Sequence, residues 1–231
     1  MSTVVPKAEY PRPDRDRSSR WLTLNGQWQL ESTAGTQPIV VPFAWETEAS
    51  GVGRTWLERA AYRRTVEVPD WGGARVFLCF GAVHHRATVS IDGAVVGTHE
   101  GGYTSFEFDV TEFLTGRPVE LVVEVEAPAD KRELPHGKQR SIPRDDYDGV
   151  SFTPTSGIWQ SVWLEARGRT WVSALELRGD SLTAFEVRGM LAGDAPAGAA
   201  VTLAAGGDSV TLVADGDGAF AGALVPASPR L

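Results

Sequence analysis

The stretch GKQRSIPRDDYDGVSFTPTS, residues 137–156, holds the densest set of chemically able side chains in this chain of 231 residues. Asp145, Asp146 and Asp148 stand close together, with Lys138, Gln139 and Arg140 upstream. Clustered carboxylates suggest a cation first. The DDYDG run fails as an EF-hand, because the first ligand position would be Arg144 and the twelfth Thr155. Histidine offers no better ligand set. His84, His85, His99 and His136 lack metal spacing, and neighbours on a strand, as His84 and His85 are expected to be, point to opposite faces. There is no G-x-S-x-G elbow, P-loop or H-E-x-x-H. Neither a metal nor a cofactor is expected. What remains is a long polar segment, and loops of that length in compact domains are usually functional or disordered. Tryptophan is the other chemical resource. Sugars lay their C–H faces on indoles, so an exposed Trp28, Trp45, Trp56 or Trp71 would mark a saccharide platform, whereas Trp as a class is mostly buried. Trp56, in the apolar-poor stretch GVGRTWLERA, reads least like core.

These side chains must be positioned by strands. Helical periodicity is nearly absent, and short alternating runs separated by Gly, Pro and Asp give an all-β signature. YRRTVEV places Tyr62, Arg64, Val66 and Val68 on one face, where Arg64 reads as part of a buried ion pair or as the rim of a site. ARVFLCF is apolar on both faces. ATVSIDGAVVG is a hairpin with Asp92-Gly93 in a type I′ turn. FEFDV is expected to bury Phe106, Phe108 and Val110 and to leave Glu107 and Asp109 in water; VELVVEVE buries Val119, Leu121, Val123 and Val125. The run IWQSVWLE, residues 158–165, is read as one strand with Ile158, Val162 and Leu164 on one face and Trp159 and Trp163 on the other. The cover of that second face is open between the chain's own core, a neighbouring domain and a sugar. Protein is favoured, since strands apolar on both sides are usually core. So many strands need two packed sheets, a β-sandwich.

Composition bounds the rest. A net charge of −8 without a basic patch argues against nucleic acid. The lone Cys79 excludes an intrachain disulfide. No apolar run approaches the ~20 residues of a membrane span, and the start of the chain lacks the apolar core of a secretory signal, so no membrane association and a cytoplasmic setting are expected. All 8 Trp lie at or before Trp171, and the sequence beyond turns rich in Ala, Gly, Val and Asp. The boundary is placed near Arg167–Thr170, giving domains 1–168 and 169–231. The second shows roughly five alternating strands, against about seven in a complete immunoglobulin-like sandwich, and is read as a partial one with exposed strand edges.

The ordered set YPRPDRDRSSRWLTLNGQWQLE, IVVPFAWETEASGVG, YRRTVEVP, FGAVHHRATVSIDGAVVGTHEGGYTSFEFDVTEFL, GKQ and TPTSGIWQSVWLE closely resembles the N-terminal sugar-binding domain of family 2 glycoside hydrolases, the β-galactosidases and β-glucuronidases. The likeness covers about residues 9–166, and the tail from Thr170 resembles the start of the immunoglobulin-like domain that follows in that family. The resemblance implies a jelly-roll sandwich that packs against a catalytic (β/α)₈ barrel and lends a loop to the sugar site. Its expected partners are that barrel, a carbohydrate substrate, and further subunits of a homo-oligomer. The two catalytic carboxylates of such enzymes flank the scissile bond. The family carries them on the barrel, the acid/base within an Asn-Glu pair. Here the single Asn, Asn25, precedes Gly26, so no catalytic residue is expected in this chain. The closing PASPRL is similar to a stretch that in the family runs on into further strands. The family's sugar-contacting Asp lies six residues before the Gly of a Gly-Ile pair. That position is Ser151 here, with Asp146 and Asp148 as substitutes if the loop is rearranged, since a carboxylate accepts paired bonds from vicinal hydroxyls. Arg64 falls where the family's chain approaches the substrate, and Trp56 joins the sugar-proximal set. Trp159 and Trp163 are the interdomain candidates. The rival reading is a stand-alone carbohydrate-binding protein or scaffold subunit without catalysis.

Overall fold

The computed structural model describes residues 4–12, 20–53, 57–128, 133–135, 137–141, 151–181, 184–194 and 196–227. Trp56, His136, Asp146 and Asp148 lie outside this set. The chain divides into two compact units, Met1–Ala166 and Arg167–Leu231.

The first unit is built on the strands β1 (Trp21–Thr23), β2 (Gly26–Ser32), β3 (Gly35–Val41), β4 (Arg59–Val66), β5 (Arg75–Phe80), β6 (Val83–His84), β7 (Arg86–Ile91), β8 (Ala94–Glu100), β9 (Phe106–Asp109), β10 (Val119–Glu126), β11 (Gly157–Ile158) and β12 (Val162–Arg167). Six of them form one sheet in the order β3-β2-β4-β10-β7-β8, and four form a second in the order β1-β12-β5-β9. The larger sheet is antiparallel throughout, as are the β1–β12 and β5–β9 pairs of the smaller, and the inner faces of the two sheets share one core, the sandwich expected. Trp28, Leu30, Tyr62, Val89 and Val123 enter it from the larger sheet, and Leu78, Phe80, Val162 and Leu164 from the smaller. The alternation of β10 does what its sequence dictates: Val119, Leu121, Val123 and Val125 are buried while Glu120 and Glu124 are exposed. Asp92 and Gly93 both take positive φ, 48° and 82°, so the β7–β8 turn is of type I′ as expected.

Three details depart from the sequence reading. IWQSVWLE is not one strand. Gly157–Ile158 pairs with β6, Val162 onward pairs with β1, and Trp159–Ser161 lie between them. The interruption sends the two indoles to different surroundings. The β6 strand likewise stops at His84, so strand alternation does not govern the next residue, and the His84 and His85 rings lie 5.4 Å apart. Finally, Glu107 and Asp109 are half-buried rather than in water. Asp109 receives Arg75 Nε at 2.6 Å and the Thr111 amide at 3.0 Å. Burial opposes its charge, but Thr111 and Arg75 outweigh it and lower its pKa.

Glu107 is drawn in by the N-terminal segment, which lies on the outer face of the smaller sheet. Arg12 Nη1 donates to Glu107 Oε2 at 2.9 Å and lies 3.6 Å from Glu165 Oε1. Its guanidinium carbon sits 5.1 Å from the Trp163 ring centre. Tyr10 donates its hydroxyl to Glu165 at 2.7 Å and packs on Trp21, and Asn25 donates to the Pro6 and Lys7 carbonyls. The second face of the β12 run at Trp163 is therefore covered by the chain itself, and Trp163 is only 2% exposed. Cys79, Glu107 and Glu165 also bring potential metal-ligating atoms within 4.8 Å of one another, but Arg12 supplies the countercharge there. Burial disfavours the guanidinium, yet Cys79, Glu107 and Glu165 raise its pKa overall.

The second unit contains the five strands read from its sequence: β13 (Thr170–Ser181), β14 (Ala184–Gly193), β15 (Ala200–Ala205), β16 (Asp208–Val213) and β17 (Ala219–Leu224). They form a sheet β13-β14-β17 and a hairpin β15-β16 around a small core of Val187, Leu191, Ala214 and Phe220. Pairing puts Leu175 opposite Gly189, and Leu177 opposite Val187, on one face. That face is apolar yet partly open, with Leu175 51% and Leu177 60% exposed.

Two measurements follow. Glu165 has no exposed side-chain surface, so Arg12→Met, which removes a positive charge 3.6 Å from it together with the bond to Glu107, is expected to cost about 2 kcal/mol in urea unfolding. Arg63→Met, which opens the half-exposed Arg63–Glu31 pair, should stay within about 1 kcal/mol. Equal costs would remove the N-terminal segment from the stability account. At Gly157 φ is +79° and a Cβ would collide with the Tyr62 hydroxyl. Gly157→Ala should therefore destabilise the first unit by at least about 2 kcal/mol, whereas Gly72→Ala, also at positive φ but with open space around it, costs about half that.

Candidate functional site

The chemistry-bearing loop returns to the sandwich beside the β8–β9 turn. Between them lies a cavity of about 580 Å³ lined by Tyr103, Pro135, Gly137, Lys138, Gln139, Phe152, Thr153 and Thr155. Its two sides are tied by backbone. Gln139 and Phe152 form a parallel bridge, the Phe152 amide donates to the Lys138 carbonyl at 3.0 Å, and the Arg140 amide donates to the Phe152 carbonyl at 3.0 Å. Gln139 then crosses the cavity. Its Nε2 donates to the Tyr103 hydroxyl at 3.3 Å, and its Oε1 accepts the Thr155 amide at 3.1 Å. Tyr103 and Phe152 are each 56% exposed, a large apolar surface to leave in water.

Behind Tyr103 the aromatic surface continues. Trp159 is half-buried, donates its indole N–H to the Gly102 carbonyl at 2.9 Å, and meets the Tyr103 ring edge-on at 5.8 Å. The His84 ring lies 6.0 Å from Tyr103. Gly102 is required in this corner, because a Cβ there would collide with His84 Nδ1. Rings flanked by amide and hydroxyl groups suit a ligand with an apolar C–H face and a rim of hydroxyls.

The wall at Thr155 is held from within. Glu46 Oε2 accepts the Ser156 amide at 3.0 Å, and Tyr62 Oη accepts the Ile158 amide at 3.2 Å. Glu46 is 8% exposed. Burial pushes its carboxyl above the ordinary 4.5, offset in part by the Ser156 bond and by the neighbouring Trp45 indole. Glu46 Oε1 and Trp45 Nε1 are buried and meet no partner of good hydrogen-bond geometry among the described residues. Tyr62, which stacks on Trp45, is fully buried, and its phenol is pushed far above its usual range.

The residues singled out from sequence are distributed unevenly around this cavity. Gln139 and Lys138 line it, although their sequence gave them no role. Ser151 is half-buried next to Phe152 but is not a lining residue, and Asp146, Asp148 and Trp56 lie outside the described residues. Arg64 is elsewhere. Its Nη1 donates to the Leu24 and Asn25 carbonyls at 2.6 and 3.2 Å, and its guanidinium carbon lies 5.8 Å from the Trp28 ring centre. Among the described residues its partners are thus backbone oxygens rather than the carboxylate of an ion pair, and burial lowers its pKa. Trp28 and Trp45 are core, Trp71 is half-buried, and Trp163 lies under Arg12. Sequence reading missed Tyr103 and Phe152. The available signal was an aromatic inside a Gly-rich turn, EGGYTS, where nothing in the local pattern calls for a core residue.

A family model described as glycosyl hydrolase 2 galactose-binding domain-like matches residues 39–160. The β-galactosidase of Thermoanaerobacter pseudethanolicus is 33% identical over 112 residues, 48% of this chain and 14% of that protein. The β-glucuronidase of Paenibacillus borealis is 29% identical over 150 residues, 60% of this chain and 25% of that protein. The chain thus spans a quarter or less of the length of these curated relatives. Among solved structures, Bifidobacterium dentium β-glucuronidase complexed with coumarin-3-O-glucuronide aligns with a TM-score of 0.68 at 20% identity, covering 89% of this chain and 42% of that one. Faecalibacterium prausnitzii β-glucuronidase aligns with a TM-score of 0.66 at 20% identity, covering 94% and 42%. At such identities the structural likeness concerns the fold. Every residue lining the Tyr103 cavity falls within the matched span, and the chain that builds it belongs to the galactose-binding-like domain family of glycoside hydrolase family 2.

Proposed function

We propose that this chain is the non-catalytic, sugar-facing part of a retaining β-glycosidase of the β-galactosidase/β-glucuronidase kind. It buttresses a catalytic barrel and shapes one wall of the sugar subsite with Tyr103, Gln139 and Phe152. The observation that carries this reading is the family match over residues 39–160, which contains the whole cavity. The partner is the barrel that carries both carboxylates, and the substrate is a terminal β-glycoside. The partly open apolar face of the second unit, at Leu175 and Leu177, supports a further part of the proposal: residues 169–231 begin an immunoglobulin-like sandwich whose remaining strands cover that face. Asp146 and Asp148 remain the candidates for hydroxyl contact from the loop, and Trp159, half-buried beside Tyr103, remains the candidate for contact with a neighbouring domain.

The test uses p-nitrophenyl β-D-galactoside and β-D-glucuronide. The 231-residue chain alone is expected to hydrolyse neither, and the full-length gene product to hydrolyse one with retention. Within that product Tyr103→Ala should raise KM about tenfold with a smaller effect on kcat, as for lost ground-state binding. An unchanged KM would take Tyr103 out of the subsite. A gene that encodes these residues and no barrel would overturn the reading in favour of a stand-alone binder.

The Glu46 anchor predicts a pH dependence. A carboxyl whose folded pKa is raised contributes most stability below its unfolded value, near 4.5, and loses it as pH rises through the folded value. Glu46→Gln keeps an acceptor for the Ser156 amide and removes the charge. The difference in Tm, variant minus wild type, should therefore grow more positive from pH 4 to pH 8. A flat or falling difference would show that Glu46 is not held against its charge.

A further inference from the structure

We propose a second saccharide-binding cleft, centred on Trp71, at the opposite end of the β5 strand from the Tyr103 cavity. The cleft encloses about 480 Å³ between the loop that leads into β5 and the turn that follows β9. It is lined by Trp71, Asp70, Arg117, Thr111, Val68 and Leu114, among others. Val76, near the start of β5, borders it, whereas Phe80 at the other end pairs with Phe106, three residues from Tyr103. Four residues of strand separate these points by about 13 Å, so the two sites do not merge.

The chemistry is that of pyranose recognition. Trp71 is half-buried, packing part of its ring on the core and presenting the rest to the cleft. Its backbone is pinned by Arg20, which donates to the Trp71 carbonyl at 3.2 Å, yet its indole N–H finds no acceptor among the described residues. Asp70 uses one carboxylate oxygen to accept the Gly72 amide at 2.8 Å, and the other meets no donor among the described residues. Across the cleft Arg117 spends Nη2 on Asp92 at 2.8 Å and Nη1 on the Pro118 carbonyl at 3.4 Å, and its Nε meets no acceptor among the described residues. An apolar ring face flanked by a spare acceptor and two spare donors matches one sugar C–H face with hydroxyls on both flanks. The mixed lining makes a purely hydrophobic ligand a poorer fit, and the Asp70 carboxylate beside the indole disfavours a strongly anionic one. A neutral hexopyranoside is therefore the ligand class. Of the indoles first weighed as sugar platforms, Trp28 and Trp45 are buried, at 3% and 0% exposure, which leaves Trp71 as the one described at a cleft.

The experiment is a titration of the 231-residue chain with methyl β-D-galactopyranoside, methyl β-D-glucopyranoside and methyl β-D-glucuronide, read by the indole N–H resonances in ¹H–¹⁵N spectra. The Trp71 signal, assigned with Trp71→Phe, should shift saturably with a neutral hexopyranoside, with Kd on the order of 1 mM for a single ring. Asp70→Asn, an exposed change that leaves the core alone, should weaken binding at least tenfold, and Tyr103→Ala should leave it unchanged. No saturable Trp71 shift at 50 mM of any probe would overturn the proposal. So would a shift confined to Trp159, which would instead place binding at the Tyr103 cavity and leave the subsite reading standing. Undiminished binding by Asp70→Asn, or loss through Tyr103→Ala, would equally remove the cleft as the site.

Discussion

Tyr62 is buried completely, and its hydroxyl accepts the Ile158 amide just where the long loop rejoins the sandwich. That bond crosses from the larger sheet to the short β11 strand, in an interior where an unpaired amide would cost about 1–3 kcal/mol. Gly157 makes the approach feasible, since any side chain at that residue would occupy the space of the phenol. Trp45 stacks on Tyr62, and Glu46 next to it binds the Ser156 amide. Three successive loop-end residues, Ser156 to Ile158, are thus clamped against the core. The position of Thr155 and Gln139, and with it the shape of the Tyr103 cavity, depends on this clamp.

The clamp keeps a carboxylate where an apolar group would be cheaper. Glu46 is held against its own charge, with one oxygen unpartnered among the described residues. A buried acceptor specifies which amide it meets, and an apolar side chain does not; specificity of this kind is attested for buried polar groups in some proteins, at a cost in stability. The outer face of the smaller sheet follows the same logic with more charges. Glu165 is fully buried, but it collects Tyr10, Trp163 and Arg12, so the N-terminal segment is held at defined points rather than by apolar contact alone.

Strand content and the facing of β10 were legible because burial on one side imposes a two-residue period that short-range sequence displays. The five strands of the second unit were legible for the same reason, and the β7–β8 turn because few residues accept positive φ. What escaped was set by contacts remote in sequence. Nothing near Trp163 states that Arg12, far upstream, lies across it. Glu107 alternates as a solvent-facing residue should, and only the tertiary arrangement turns it into an ion-pair partner. The break at Trp159–Ser161 was hidden because an apolar run reads alike whether it is one strand or two. The site was half visible. The loop was found from its length and polarity, but its wall partner Tyr103 lies on the β8–β9 turn, and a single tyrosine among glycines carries no periodic signal.

The fate of the indoles bears on how a sandwich of this kind can meet sugars at all. Trp28, Trp45 and Trp163 are consumed by core and by the N-terminal segment, and their large apolar area is worth more in stability than as a platform. Trp159 and Trp71 are only half-buried near an open cavity, the first held by its indole N–H on the Gly102 carbonyl and the second by packing one part of its ring on the core. A ring held on one edge loses little entropy when a ligand lands on its free face, which lowers the cost of binding. Both such rings sit where strands end and turns begin, the region in which backbone irregularity leaves space beside an ordered sheet. The interior of the sandwich is filled by interdigitated side chains, so its ends are where this fold can offer an aromatic surface without giving up core.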